Sequence, residues 1–182
     1  MGNLILVGGG LRSGKSRHAV YLAEQLGQRR VFLATAEAID EEMRDRIRRH
    51  REERADRFHT IECPLELSDA VAAQNDCDVV LIDCLTLWLS NLLGAGYDND
   101  TILCRVDALL TEIDRVCRPV VVVSNEVGMG LVSMNALGRR FQDLSGWAHQ
   151  RLAAAATEIY LATLGCILRL KPGPLTLVSP SV

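Results

Sequence analysis

One short glycine-rich stretch constrains the fold of this chain more than any other feature. Residues 9–16 read GGLRSGKS and match the pattern GxxxxGK[ST]. They follow an apolar run at 3–8, which predicts a buried strand, and they open a helical pattern at 16–27. Glycines let the backbone curl so that its N–H groups converge on phosphate oxygens, and the helix N-terminus adds positive potential. The stretch therefore predicts a loop that holds phosphate groups.

The residues of this phosphate-binding loop have separable roles. Lys15 is expected to reach the outer phosphates of a nucleoside triphosphate, and Ser16 to supply an oxygen to Mg²⁺. The expected nucleotide contacts in the loop are Gly9, Gly10, Leu11, Arg12, Ser13, Gly14, Lys15 and Ser16. The sequence thus indicates a protein that uses ATP or GTP with magnesium. It contains no NKxD segment, which weakens the hypothesis of a GTPase switch.

A carboxylate ends the most apolar strand pattern of the chain. The run DVVLID at 78–83 is typical of a central parallel strand, and its last residue is Asp83. In proteins with a phosphate-binding loop, a carboxylate at this place organises the metal, directly or through water. The alternative is that Asp83 caps the N-terminus of the following helix. The phosphate-binding loop favours the metal role.

Apolar runs and helical patterns alternate along the whole chain. Strands are predicted at 3–8, 30–36, 59–62, 78–83, 119–126, 158–164 and 166–171. Helices are predicted at 16–27, 37–57, 65–74, 84–93, 101–117 and 135–156. This alternation predicts an α/β P-loop NTPase with a doubly wound, mostly parallel sheet in one domain spanning 1–182. The last two strands are close enough for a hairpin, so one edge strand is expected to be antiparallel, followed by a loose proline-rich tail.

Composition excludes several classes of function. The net charge is −3 and only 4% of the 182 residues are aromatic, which argues against nucleic-acid binding. No apolar run approaches the roughly 18 residues that span a bilayer, and no signal-peptide pattern is present, so we expect a cytoplasmic protein. The six cysteines form no CxxC pair and are expected to be reduced packing residues rather than a zinc site.

A second charged stretch, RIRRHREER at 46–54, contains a histidine among arginines. On a helix, Ile39, Met43 and Ile47 form a narrow apolar stripe, and His50 follows Ile47 by three residues, so it faces the protein body. Arg46 and Arg54 lie four residues on either side of it, whereas Arg48 and Arg51 are expected to be solvated. Cationic neighbours lower the pKa of an imidazole and keep it neutral and nucleophilic. Such a histidine could attack an α-phosphate, and the alternative is a charged helix with a packing histidine. The other histidines are expected to be structural, with His18 at the surface.

Four segments together resemble a known family. They read GGGLRSGKSRHA, RIRRHREERADRFHTIE, LIDCLTLWLSNLL and VSNEVGMGLVSMNALGRRFQDLSG. In this order they are similar to the bifunctional adenosylcobinamide kinase/adenosylcobinamide-phosphate guanylyltransferase of cobalamin synthesis, over residues 4 to 171. The resemblance implies phosphorylation of adenosylcobinamide with ATP or GTP. It also implies transfer of GMP from GTP onto that phosphate through a GMP–histidine intermediate, with release of pyrophosphate.

The resemblance also implies site residues and partners. It makes His50 the nucleophile and maps the metal-organising carboxylate to Asp83. Further nucleotide contacts implied by it are Ala34, Thr35, Ala36, Arg51, Glu52, Glu53, Arg54 and Glu62. The carboxylate of Glu62 could accept hydrogen bonds from guanine. The implied partners are adenosylcobinamide, its phosphate and two further copies of the chain in a homotrimer, with no nucleic acid and no membrane span.

The chain departs from the family pattern at a few positions. Ala55 and Phe58 stand where the family usually has Pro and Trp, Ser133 where proline is common, and His149 where asparagine is frequent. These changes affect loop shape or cobinamide contacts and leave the phosphate machinery intact. Two other functions stay open from the residues alone: a small-molecule kinase in which His50 is structural, and a nucleotide-dependent interaction protein.

Overall fold

The computed structural model of the protein describes residues 3–38 and 40–178. For Glu42, Arg46, His50, Glu53, Arg54 and Ala55 it describes the backbone alone. One eight-stranded sheet is formed by β1 (Asn3–Gly9), β2 (Arg30–Ala34), β3 (His59–Glu62), β4 (Val79–Asp83), β5 (Pro119–Asn125), β6 (Glu158–Thr163), β7 (Cys166–Lys171) and β8 (Thr176–Val178). The helices are α1 (Lys15–Leu26), α2 (Glu41–Arg54), α3 (Leu67–Ala72), α4 (Leu85–Gly94), α5 (Asn99–Arg115) and α6 (Ala136–Ala155), and a 3₁₀ turn (Ala55–Arg57) follows α2.

The sheet confirms the predicted α/β class. Its strand order is β3-β2-β4-β5-β1-β6-β7-β8, and the first six strands of this order are parallel. Strands β4 and β5 lie in the middle, and their β-branched residues are fully buried because helices cover both faces. One core layer packs under α3, α4, α5 and α6, and the other packs under α1. All parallel strands therefore point their carboxyl ends to one edge, where an open α/β sheet binds ligands.

The end of the chain is more ordered than its composition suggests. Strand β7 pairs antiparallel with β6, as the short connection at Gly165 predicts. The expectation of a loose tail is wrong for Thr176–Val178, because these residues form β8 and pair antiparallel with β7. Two pairings, β6–β7 and β7–β8, are therefore antiparallel, and among the described strands β7 alone runs against the others. Backbone hydrogen bonds to β7 supply the order that the proline-rich composition does not indicate.

Two helices are shorter than predicted. The pattern at 37–57 forms α2 only from Glu41 to Arg54, and the pattern at 65–74 forms α3 only from Leu67 to Ala72. The described cysteines are free; Cys63, Cys77 and Cys84 are buried as expected, whereas the other three are exposed. None of the helices in the described part of the chain is long and apolar enough to cross a membrane.

His18 is buried, so its predicted place at the surface is wrong. Its ring lies edge-on to Tyr160 of β6, with ring centroids 5.0 Å apart, and stacks on Tyr21. Neither ring nitrogen has a hydrogen-bond partner among the described residues. Burial therefore lowers the pKa of His18 below its ordinary value, because a charged imidazole would lose its solvation.

This lowered pKa predicts a loss of stability in mild acid. The unfolded imidazole takes up a proton near its ordinary pKa while the folded one stays neutral, so the free energy of unfolding falls as pH drops through about 6.5. We expect His18→Phe to show a smaller fall between about pH 7.5 and 5.5 in urea titrations. Burial also lowers the pKa of His149, so part of the fall remains. His59→Gln, which alters an exposed ring, should keep the full fall; equal slopes in all three proteins would contradict the assignment.

Candidate active site

The phosphate-binding loop joins β1 to α1 as the motif predicts. Gly9 ends β1, and a Cβ atom there would overlap the carbonyl oxygen of Ala162 and lie 2.7 Å from the hydroxyl of Ser13. Gly14 has a φ of +93° and is the N-cap of α1. Both positions therefore require glycine, one for close packing against β6 and one for a left-handed backbone. The loop backbone turns into the first helical turn, where free N–H groups favour an anion.

Lys15 and Ser16 occupy the first two positions of α1. The side chain of Lys15 is buried, and its Nζ donates a hydrogen bond to the carbonyl oxygen of Gly10 at 3.0 Å. The ammonium group is thus held across the mouth of the loop rather than extended into solvent. Lys15, Ser16 and Leu11 all line one pocket. This arrangement is suited to binding the outer phosphates of a nucleotide.

The pocket is an open cleft, and the empty space of about 860 Å³ within its bounds includes open solvent. A concave site with apolar walls and a few polar groups is typical of small-molecule binding. The pocket lies at the carboxyl edge of the sheet and has walls from β2, β3, β4 and β5, from the phosphate-binding loop and from α2. The residues that line it are Leu11, Lys15, Ser16, Phe32, Ala34, Ala36, Met43, Ile47, Arg51, Thr60, Glu62, Asp83, Cys84, Leu87 and Asn125.

Asp83 ends β4 and lines the pocket together with Ser16. It is not the N-cap of α4, because Cys84 occupies that position and makes no side-chain cap. The alternative interpretation of Asp83 as a helix cap is therefore wrong. A hydroxyl and a carboxylate in one pocket match the needs of Mg²⁺, which binds through one or two protein oxygens together with phosphate and water. The residues present fit a magnesium ion at this place.

Thr35 holds the carboxyl ends of β2 and β4 together. Its hydroxyl donates to the carbonyl oxygen of Cys84 and accepts from the N–H of Cys84, both at 2.8 Å. Its own N–H donates to the carbonyl oxygen of Asp83 at 3.3 Å. Thr35 is fully buried, so we assign it to positioning the strand ends, whereas Ala34 and Ala36 line the pocket. Side chains at 34 and 36 face the pocket and the one at 35 faces away, because successive side chains of an extended chain point to opposite sides.

Helix α2 contributes one face to the pocket. Met43 and Ile47 line it, which confirms that the predicted apolar stripe faces the protein body. Arg51 also lines it, so the expectation that Arg51 points elsewhere is wrong. The physical reason is that residues 43, 47 and 51 recur every four positions and share a face. Ile39 lies outside the described residues.

His50 belongs to α2 by its backbone, three residues after Ile47 and one before Arg51. Its side chain lies outside the described part of the structure, as do the side chains of Glu53 and Arg54. The helix face that carries positions 47 and 51 is the face toward the pocket. At three residues from Ile47, position 50 is adjacent to that face. The backbone thus places position 50 next to the side of α2 that faces the pocket.

The far wall of the pocket carries opposite charges. Glu62 ends β3 and lines the pocket, and its carboxylate lies 3.5 Å from a guanidinium nitrogen of Arg51. Both side chains are largely exposed, so the pair contributes little to stability and is free to exchange for ligand contacts. Glu52 is exposed, and it is absent from the described pocket lining, as is Arg12.

Comparison with known proteins identifies the family. The model of the family described as cobinamide kinase/cobinamide phosphate guanyltransferase matches residues 5–170. The chain belongs to this family. The match includes the phosphate-binding loop, Asp83 and the whole of α2.

Three bifunctional relatives align with this chain over almost their entire length. The bifunctional adenosylcobalamin biosynthesis protein CobU of Escherichia coli is 38% identical over 92% of this chain and 99% of that protein. The protein of the same name from Salmonella typhimurium is 39% identical with the same coverage. The bifunctional adenosylcobalamin biosynthesis protein CobP of Pseudomonas aeruginosa is 39% identical over 96% of this chain and all of that protein.

Solved structures of low identity show the fold. The RadB recombinase has a TM-score of 0.55 at 15% identity and covers 96% of this chain and 86% of that one. A KaiC-like protein from Pyrococcus horikoshii has a TM-score of 0.50 at 12% identity and covers 96% of this chain and 76% of that one. These likenesses confirm the α/β fold with its mostly parallel sheet.

The family motifs did not indicate every residue of the pocket. Phe32 and Thr60 lie on β2 and β3 with side chains toward it, and Asn125 ends β5 beside Gly9 of β1. Alternation back from Ala34 could have found Phe32, and the end of the β5 pattern could have found Asn125. Cys84 also lines the pocket, but burial and the charge of Asp83 raise the pKa of its thiol to about 11. It therefore stays protonated and is a poor nucleophile.

Proposed function

We propose that residues 1–182 form one catalytic domain that phosphorylates adenosylcobinamide and then transfers GMP from GTP onto the new phosphate. The observation that carries this proposal is a single pocket lined by the phosphate-binding loop, by Asp83 and by the face of α2 next to His50. A simple kinase needs the first two elements. The third is the pocket-lining face of the helix that carries His50, and a second, covalent step would use this histidine.

In the kinase step, the loop holds ATP or GTP while the acceptor hydroxyl attacks the γ-phosphorus. Lys15 stabilises the charge on the transferred phosphoryl group, and the buried position of its ammonium group strengthens that interaction. Ser16 and Asp83 would hold Mg²⁺, which when bound neutralises charge on the phosphates. The new bond joins the acceptor oxygen to phosphorus, the bond to the bridging oxygen breaks, the nucleoside diphosphate leaves, and the hydroxyl proton is released to water.

In the transferase step, the neutral imidazole of His50 attacks the α-phosphorus of GTP. A phosphorus–nitrogen bond forms, the bond to the β-phosphate oxygen breaks, and pyrophosphate leaves. A phosphate oxygen of adenosylcobinamide phosphate then attacks the same phosphorus and displaces the imidazole, which gives adenosyl-GDP-cobinamide. We assign three cations to the phosphate oxygens. Arg51 lines the pocket, and Arg46 and Arg54 each lie four residues from His50.

A pulse-chase experiment tests the two-step proposal. Incubation with α-labelled GTP and magnesium should give a protein carrying acid-labile, base-stable label. After removal of free GTP, addition of adenosylcobinamide phosphate should move the label to the corrinoid with loss of label from the protein. Label that never forms in a protein active as a kinase would identify a monofunctional kinase. No turnover of any nucleotide with cobinamide present would favour an interaction protein.

Glu62 is the proposed guanine contact. Its carboxylate lines the pocket and can accept two hydrogen bonds, from N1–H and the exocyclic amino group of guanine. Hydrogen bonds to a charged group are worth about 1.5–3 kcal/mol, so Glu62→Gln should raise the KM for GTP in self-labelling by about 10- to 100-fold. Glu66→Gln, which alters an exposed carboxylate paired with Arg105, is the control. An unchanged KM for GTP in Glu62→Gln would remove this residue from the base site.

We also propose that the chain acts as a cytoplasmic homotrimer. The support is the resemblance of the four motif segments to the family. Sedimentation equilibrium should give three times the chain mass of 20.0 kDa.

A further inference from the structure

A loop of residues 127–134, here termed the apolar loop, exposes large hydrophobic side chains in close succession. Met129 and Val132 are mostly exposed, Leu131 is 94% exposed and Met134 is 99% exposed. Single exposed apolar residues are ordinary, but a contiguous group of them marks a binding surface. The loop follows β5 directly and leads into α6.

Hydrogen bonds from α6 hold the apolar loop by its backbone. The side-chain amide nitrogen of Gln142 donates to the carbonyl oxygens of Val127 and Leu131 at 3.1 and 3.2 Å. Its side-chain oxygen accepts from the N–H of Ser133 at 2.9 Å. Arg139 donates to the carbonyl oxygens of Ser133 and Met134. Five backbone groups of the loop are therefore bonded from the α6 side, while its large apolar side chains are mostly exposed. An arrangement of this kind presents apolar groups in a fixed position.

The apolar loop begins beside the phosphate-binding loop. Gly9 and Asn125 are registered partners in the parallel pair of β1 and β5, and the N–H of Glu126 donates to the carbonyl oxygen of Gly9 at 2.9 Å. The carboxylate of Glu126 accepts from the N–H of Gly128 at 2.6 Å, which fixes the first turn of the loop. The two loops thus leave neighbouring strands at the same edge of the sheet, roughly 5 Å apart at their origin.

Two further exposed leucines lie at the same edge. Leu11 lies in the phosphate-binding loop, and Leu164, which is 97% exposed, lies in the turn after β6. Strands β5, β1 and β6 are consecutive in the sheet, and Gly9 is registered with Ala162 of β6. Exposed apolar groups therefore follow three adjacent strand ends around the phosphate-binding loop. In strand order, β3 with Glu62 lies on the same side of β1 as β5, three strands beyond β5.

We infer that the apolar loop, together with Leu11 and Leu164, is the surface that binds the corrin ring of the cobinamide substrate. This inference rests on the proposed function. A corrin macrocycle is a large ring with methyl-rich faces and amide side arms, so it needs an apolar surface several side chains wide. Its acceptor hydroxyl sits on one side arm and must reach a phosphate at Lys15. The surface next to the loop that holds this phosphate meets both needs.

The size of the surface favours a small ligand over a second copy of the chain. A stable protein–protein interface buries about 800 Å² and about 20–30 residues on each partner. The apolar loop offers eight residues with two flanking leucines. Its place beside the phosphates is also where an acceptor, rather than a subunit, has to arrive.

Binding of adenosylcobinamide by equilibrium dialysis, read from corrin absorbance, tests the inference. The double variant Leu131→Ser/Met134→Ser removes two exposed side chains and keeps the backbone hydrogen bonds of the loop. The matched control is Leu175→Ser/Leu177→Ser, which alters two exposed leucines at the β8 end of the sheet. We expect the loop variant to bind at least about tenfold more weakly than wild type and the control to bind like wild type.

Three results would overturn the inference: equal affinity in the loop variant, no corrinoid binding by the wild type, or a lower sedimentation coefficient of the loop variant, which would make the loop a subunit contact. Self-labelling with α-labelled GTP, which needs no corrinoid, is measured on the same proteins and should not change in the loop variant. Wild-type protein that binds the corrinoid but forms no label would refute the proposed transferase step and leave the surface supported.

Discussion

His50→Ala is expected to lose all covalent GMP and all guanylyl transfer. The reason is that the imidazole nitrogen forms the bond to the α-phosphorus, and alanine offers no replacement nucleophile. The phosphate-binding loop is untouched, so phosphorylation of adenosylcobinamide should remain measurable. The measurement is paired: label from α-labelled GTP on the protein, and transfer of the terminal phosphate of γ-labelled ATP to the corrinoid.

The control for this variant is His59→Ala. His59 begins β3, its side chain is exposed, and it is not among the residues that line the pocket. This variant should label at the wild-type rate. If His50→Ala transferred GMP at the full wild-type rate, the covalent route would be wrong for this protein.

Lys15→Ala is expected to depress both reactions together, because both steps need the triphosphate held in the same loop. The lysine ammonium is buried at the mouth of the loop and bonded to Gly10, so it is pre-positioned for phosphate oxygens. Removal of one such charge-stabilising donor costs about 10²- to 10³-fold in rate. Initial rates of corrinoid phosphorylation and of protein labelling should fall by factors of this size.

Lys171 is the only other lysine of the chain and supplies the matched control. Its Nζ donates to the last carbonyl oxygens of α6, away from the pocket. Lys171→Ala should therefore lose a little stability and keep both activities. A Lys15→Ala protein that loses phosphorylation but labels normally would show that the two steps bind their triphosphates at different places.

The fold was largely predictable because its strongest signals are local. The motif at 9–16 carries its own context of strand, glycine turn and helix, and the β-branched runs that became β4 and β5 have few alternatives to a buried strand. Features that depend on distant partners were predicted poorly. The burial of His18 depends on Tyr160 of β6, and β8 exists because β7 pairs with it.

The site was predictable in its parts rather than in its assembly. Helical spacing correctly placed Met43 and Ile47 on an inward face, yet the same spacing should have included Arg51, which lines the pocket. The positioning role of Thr35 could not be predicted from the sequence. Its hydroxyl forms hydrogen bonds with the backbone of Cys84, and these join the ends of β2 and β4, which two α-helices and a strand separate along the chain. Contacts of this type follow from sheet order, which local periodicity does not encode.

A crystal structure of the protein with GTP would show whether His50 can act as the nucleophile, through the distance from its ring to the α-phosphorus. With the triphosphate in the loop at Lys15, we expect an imidazole nitrogen within about 3–3.5 Å of that phosphorus and in line with the bond to the leaving pyrophosphate. A ring that stays well outside bonding reach in every subunit, with the phosphates seated in the loop and α2 closed over the pocket, would contradict it.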